Sequence, residues 1–592
     1  MSTTFANAAA GTTLDQAFTQ AKTSIGATRA QRRAIKQAKP VISIYKNNPD
    51  GTAGAIFVGR FNVRELPRYE FPMRKNVSSQ GFLSVRASNW LAKFLGSIPN
   101  NPAECKNILV RVDMYGGQWR WTGLGHHWTA ETVEGADVIT FYFNDDMQHL
   151  QFMLAPPNPV LPMTVFNFPR VWPEFGPSDW CVGVLGWLNE ARNELTDALA
   201  SLVLPPDPFD LSLWENEVLT ALEPQNWQAH WLVPSFLNST SLWTLLASRM
   251  NTVDSVIADA LEDGQLCLTY RRYFTGEGEA APAGLWFSDI ANGAIVFEVT
   301  DRSGFTLPGG TFFTTAGFGV VTGAARSVIQ WTDGFVEDLL TTVTDSESLY
   351  ADEYWQTDFL GTFASAPGIC IRDSHWNDLQ SRVTWSPDTA ISVVVGGDNP
   401  TLDAIAKLLI ESIGNLLGYF LLGGFDSAGT IAADVIMPFL VGTIGAWDRW
   451  TNTGRQNQLG WMKLWEVFQQ GAENNAWALA ALAALRGGFL ATRSETSHTM
   501  VIGQNAWPIP GLHYSIGDRI MSTAGVIARM GIDILFINQV EEMTLQGAAD
   551  GAFQFFNKVG QSKAGMTTGE RAARLMKKAM DTMQNIGVHL VS

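Results

Sequence analysis

The chain has 592 residues, 46% of them apolar and only 16% charged, with 22 Trp and 34 Phe, a composition that excludes bulk disorder and allows several packed cores. Its net charge of −17 is concentrated in an acidic body between two basic ends, which argues against DNA wrapping or docking on an anionic membrane, since both need phosphates to be neutralised. The four cysteines, Cys105, Cys181, Cys267 and Cys370, are too far apart for a zinc motif and too few for a disulfide framework, so reduced, buried thiols and synthesis in a cytoplasm are expected.

The length suggests roughly three to five domains, and an α+β, multidomain chain. Over 1–40 a helical arm is expected, because Leu14, Phe18, Ala21 and Ile25 form a short heptad seam, which Gly26 weakens and Pro40 ends. The first 30 residues are polar and lack an apolar leader segment. Residues 41–165 read as a small antiparallel β-barrel or sandwich. Val41 to Tyr45, Ala55 to Phe61, Leu109 to Met114 and Val138 to Phe143 are its strands, and Trp119 and Trp121 alternate after Gly116-Gly117. In the third of these, Val110, Val112 and Met114 share one face and Arg111 and Asp113 the other. Pro156-Pro157-Asn158-Pro159 is an expected linker.

Residues 166–290 read as a mixed, mainly helical insert with a helix over 180–204, and 291–400 as a β-rich domain with strands at 294–299 and 391–395. Residues 401–495 read as an apolar layer of buried helices. Asp403, Lys407, Glu411, Asp426 and Asp434 break its strongest apolar stretch, so no stable membrane insertion is expected. Residues 496–560 return to β, with Ile532, Ile534 and Phe536 on one strand and a hairpin turn at Ser522-Thr523-Ala524-Gly525. Residues 561–592 form a basic helix, capped by Thr567 and Glu570, with Ala572, Met576, Ala579, Met583 and Ile586 as its seam.

No nucleotide-binding, nucleophile-elbow, zinc-protease or EF-hand motif is present. The candidates for chemistry are His126, His127, Glu131 and Glu134, then His375 and Asp378, and the carboxylate pairs Asp145-Asp146 and Glu541-Glu542 that a glycan hydrolase could use. Neighbours on a strand point to opposite faces, so the histidines do not readily share a metal, and the acidic pairs are expected at solvated edges or turns. No catalytic, cofactor or metal site is therefore assigned. Trp119, Trp121 and Trp128 could stack sugars, anchor an interface or fill the barrel core.

Three stretches resemble the tail-associated, baseplate-hub family of minor tail proteins from actinobacterial siphophages, mycobacteriophages included. The first is Val110 to Asp113 through Trp119 to Gly123, Phe141 to Leu150 and Pro156 to Pro159. The second is Leu422 to Phe425, leading to Trp465-Glu466 and Arg486 to Gly488. The third is Gly511 to Ile520, in which a Gly-Asp turn starts a strand. The resemblance implies a hub with N-terminal and C-terminal β-barrel modules, acting as a homotrimer that closes the tail tube in the tail tip of the virion. It implies a distal tail protein, the tape-measure protein and receptor-binding or spike proteins as partners, with transient contact to DNA in the lumen, and no cofactor. A cell-wall-degrading tail enzyme and a carbohydrate- or receptor-binding tail protein are the alternatives.

Overall fold

In this computed structural model the structure describes residues 38–48, 52–101, 104, 106–133, 135–158, 172–201, 224–285, 289–303, 305–306, 363–364, 368–371, 379–396, 447–468, 488–489, 492, 495–502, 508–530, 535–548 and 553–560, with Lys22 and Ile35. The N-terminal arm, the apolar stretch 402–446, Ile532 and Ile534, and the C-terminal helix lie outside the described residues.

The first β segment contains the strands β1 (Val41–Asn47), β2 (Ala55–Phe61), β3 (Arg68–Arg74), β4 (Gln80–Arg86), β5 (Ile108–Met114), β6 (Trp119–Val133) and β7 (Ala136–Asp145). Alternation predicts all of them except β3 and β4, whose patterns Pro72 and Gly81 interrupt. Pro72 is tolerated in β3 because the pairing with β4 stops at Glu70, and its carbonyl accepts from Trp121 Nε1 at 2.7 Å and from the Ser79 hydroxyl.

Strand order shows what the linear sequence conceals. A 13-stranded sheet runs from Leu379–Ser386 through Glu495–Ile502, Phe553–Val559 and Leu535–Ala548 into β3, β4, β7, β6, β5, β1 and β2, with Arg519–Thr523 and Cys370–Ile371 on a branch. The seam is the antiparallel pairing of β3 with Leu535–Ala548, from Arg68 opposite Ala548 to Arg74 opposite Glu542. Segments separated by more than 400 residues thus share one apolar core, where Ile44, Phe71, Val112 and Trp121 pack with Met543, Leu545 and Phe555. Removing these side chains from water is what holds the seam.

Between these segments lies a second core. Helices Ser178–Ser201 and Val253–Asp263 cover a sheet ordered Ala229–Leu232, Ala294–Asp301, Leu266–Tyr273. Val182, Leu185, Ile257, Leu261, Ile295 and Phe297 fill it, with Trp231 stacked on Phe297 at 4.9 Å.

Three expectations need correction. Within the stretch read as an apolar helical layer, residues 447–468 form the strands Trp447–Thr451 and Leu464–Phe468 around one short helix, Thr453–Leu459, because both strands add to Ala390–Gly396. Residues 522–525 are no hairpin turn: strand Arg519–Thr523 leads into the short helix Gly525–Ala528 before its partner strand Leu535–Ala548 begins. Cys370 is exposed, whereas Cys181 and Cys267 are buried as expected.

Candidate functional site

The predicted chemical residues scatter. His126 and His127 stand on the outer stretch of β6, both exposed, with their Nδ1 atoms 2.6 Å apart and the His127 ring stacked on Tyr142 at 4.3 Å. Glu131 is exposed further along the same strand. His375, Asp378 and Glu134 lie outside the described residues. Among the described residues no group of three or more His, Cys, Asp or Glu could hold a metal ion. Glu541 and Glu542 diverge at a bulge, one towards Lys75 at 3.9 Å and the other towards Arg74 at 3.6 Å. Trp119 and Trp121 are buried in the core and only Trp128 is exposed, so the three rings do not form one platform.

Asp145 and Asp146 overturn the expectation of a solvated edge, since both are buried. Asp145 accepts from the Ser78 hydroxyl at 2.9 Å and the Ser79 amide at 3.0 Å, and burial pushes its pKa up to about 7 in spite of these donors. Burial also works against the charge on Asp146, yet the guanidinium of Arg272 keeps its pKa below the ordinary carboxylate range. Arg272 Nε and Nη2 each reach one Asp146 oxygen at 2.7 Å, and the Thr122 hydroxyl donates as well. Neighbouring carboxyls whose pKa values are pushed apart are the electronic arrangement of a glycan hydrolase. Here, however, both groups face protein, and the ionised one has no exposed surface.

Asp146 belongs instead to an ionic joint between the large sheet and the central unit. On β5 the polar face predicted from alternation is not open to water. Arg111 Nε donates to Asp113 at 2.6 Å and its Nη1 to Glu277 at 2.9 Å, and Arg120 bridges Asp113 and Glu279, each at 2.7 Å. Arg271 completes the set at 2.9 Å from Glu279. Burial opposes ionisation of Glu279, but the Phe274 amide and the two arginines bring its pKa down to about 2. Phe274 sits within this joint, tilted against Tyr45 at 4.5 Å and beneath the Arg111 guanidinium at 4.3 Å. The signal for the joint was present in the sequence as charged residues on a barrel strand and as the Arg271-Arg272 pair, but Arg111 and Glu277 stand 166 residues apart and Arg272 and Asp146 126.

The Gly-Asp turn of the third resembling stretch docks at the same boundary. Gly517, at φ +80°, lies so close to Cys267 that a Cβ would come within 2.6 Å of the thiol sulfur. Asp518 caps the Ser515 amide at 2.7 Å and pairs with Arg302 at 2.6 Å. The geometry thus fixes surfaces of the large sheet and the central unit against one another.

The family model for the Siphovirus ReqiPepy6 Gp37-like protein matches residues 60–560. The chain belongs to that family. Among its relatives, the minor tail protein Gp28 of Mycobacterium phage L5 is 25% identical over 531 residues, 81% of this chain and 85% of that protein. The minor tail protein Gp28 of Mycobacterium phage D29 is 24% identical over 532 residues, with the same coverage. The resemblance read from the sequence, to minor tail proteins of mycobacteriophage-like siphophages, is therefore borne out. Among solved structures, the tail protein from Neisseria meningitidis MC58 aligns over 90% of this chain and 99% of its own, with 10% identity and a TM-score of 0.36. Among the described residues of this family member, no helix is long and apolar enough to cross a membrane.

Proposed function

We propose that this siphophage minor tail protein is the structural hub of the tail tip, a homotrimer and not an enzyme. The observation that carries this reading is the seam between β3 and Leu535–Ala548, which joins the two ends of the family-matched region into one sheet. Two distant segments that share one core act as a single rigid body rather than as a string of independent modules. In this reading 41–165 and 496–560 are the two barrel modules of the hub, and the basic ends 1–40 and 561–592 are arms for neighbours. The hub closes the tail tube, contacts the distal tail protein above and receptor-binding or spike proteins below, and holds the end of the tape measure. An acidic wall lets DNA pass with only transient contact.

Electron microscopy of purified particles with the chain labelled tests this: the expected result is threefold density at the tail tip, and label along the tail shaft or absent from particles overturns it. A carbohydrate-binding role is the second reading. A cleft of about 400 Å³ beside the joint, lined by the amides of Asn47, Asn107, Asn226, Gln228 and Asn292, favours it, because such groups bond sugar hydroxyls. Glycan-array binding that Asn107→Ala abolishes would support it.

A further inference from the structure

The sheet built on Ala390–Gly396 presents a surface that neither the joint nor the seam uses. Leu464–Phe468 is parallel to Ala390–Gly396 and ends that sheet on one side. The helix Thr453–Leu459 anchors it, because its Arg455 is buried and paired with Asp388 at 3.1 Å while donating to the Thr492 hydroxyl at 2.8 Å. On this firm base the turn after the helix raises Trp461, 93% exposed, and Met462, 85% exposed, followed by Leu464 and Trp465, each 61% exposed. Lys463 Nζ stands 5.0 Å over the Trp465 ring and holds it as a ready anchor.

We propose that the ridge of Trp461, Met462, Leu464 and Trp465 is a contact surface for a second copy of this chain. The proposal rests on the homo-oligomeric hub reading above and names a surface for it. The exposed area and the strand edge call for a polypeptide partner, and the homo-oligomeric reading makes that partner a second copy. The four side chains expose on the order of 600 Å² of mostly apolar surface, most of the roughly 800 Å² per partner that a stable protein–protein complex buries and far more than a small ligand covers. Among the described residues Leu464–Phe468 is an edge strand, whose outer backbone groups another polypeptide can pair.

The test uses the full-length chain and sedimentation-velocity mass across a concentration series. Wild type is expected to self-associate, and Trp461→Asp with Trp465→Asp to weaken association at least tenfold with an unchanged circular dichroism spectrum. Phe152→Asp, a control at a side chain 82% exposed elsewhere, should leave the mass unchanged. If the double aspartate variant does not fold, Trp461→Ala with Trp465→Ala reads the same contact. An oligomer that persists in the folded variants overturns the ridge while leaving the hub reading intact. A wild type that is monomeric throughout overturns both the ridge and the trimer. A variant that still oligomerises but fails to enter particles assigns the ridge to a different tail protein and overturns this proposal.

Discussion

Arg272 grips both carboxylate oxygens of Asp146 at 2.7 Å, a bidentate pair buried between the end of β7 and the strand Leu266–Tyr273. Removing one partner leaves the other charged and dry. Asp146→Ala is expected to lower unfolding free energy by about 3–5 kcal/mol. The paired replacement Asp146→Leu with Arg272→Met should recover most of that loss, because a buried ion pair fixes docking geometry more than it adds stability. Urea denaturation of the single and double variants checks this, and a double variant as weak as the single one refutes it.

Asn76 ties the same boundary with its amide. Its Nδ2 donates to the Leu266 carbonyl at 2.9 Å and its Oδ1 accepts from the Leu268 amide at 2.8 Å, so it stands in for a missing neighbour strand. Its φ of +57° is one that asparagine tolerates. Asn76→Gly keeps that backbone and should cost about 1–3 kcal/mol through the lost bonds, with Asn76→Ala worse by roughly a further 1 kcal/mol of strain. Hydrogen exchange at the Leu268 amide should accelerate in both; unchanged protection there would rule the bridge out.

Glu174 is buried on Trp172–Pro177 with an oxygen that has no hydrogen-bond partner, and burial pushes its pKa up to about 8. The folded state therefore keeps a proton that the unfolded state releases above its ordinary value near 4.5. Stability should fall as pH rises from about 4.5 to about 8, and Glu174→Gln should remove that slope and exceed wild type at pH 8. Melting curves of both proteins at pH 5, 6.5 and 8 decide it; parallel slopes would show that Glu174 does not titrate in this way.

His149 and Glu279 work in the opposite direction. Burial lowers His149 to about 4 and the arginines help to bring Glu279 to about 2, so each contributes stability at neutral pH that is lost on acidification. The His149 contribution should fade between about pH 6.5 and 4, and that of Glu279 between about 4.5 and 2. His149→Gln should flatten the upper part of the acid-unfolding curve and leave the lower part in place; a curve unchanged between pH 6.5 and 4 would exclude the histidine.

Gly547 sits opposite Tyr69 across the seam, and a Cβ there would approach the tyrosine ring to 2.1 Å. The buried Tyr69 ring lies over the glycine and cannot swing out. Gly547→Val should cost about 1–3 kcal/mol or more by overpacking and loosen the seam first. Limited proteolysis should then cut between the two β segments sooner than in wild type, and an unchanged cleavage pattern would argue that the seam is not the weak line.

Individual strands were legible where polarity alternates, as in Ile108–Met114 and Ala136–Asp145, because the period of two is a local property. Strands β3 and β4 were hidden because Pro72 and Gly81 make sense only beside Trp121, which approaches from β6. The Asp145-Asp146 pair was visible but misread, since nothing local indicates that Arg272 will arrive to bury one of the two carboxyls.

By itself the sequence determined the alternating β and helical segments, the exclusion of familiar catalytic motifs and the family likeness, all of which depend on residue type and short-range order. Tertiary structure alone decided that Leu535–Ala548 adds to β3, that Arg111 and Asp113 face the central unit instead of water, and that two of three candidate tryptophans are buried. The physical reason is that hydrogen-bond pairing, burial and charge compensation depend on which distant surface comes to lie alongside, and those neighbours are set by packing across hundreds of residues.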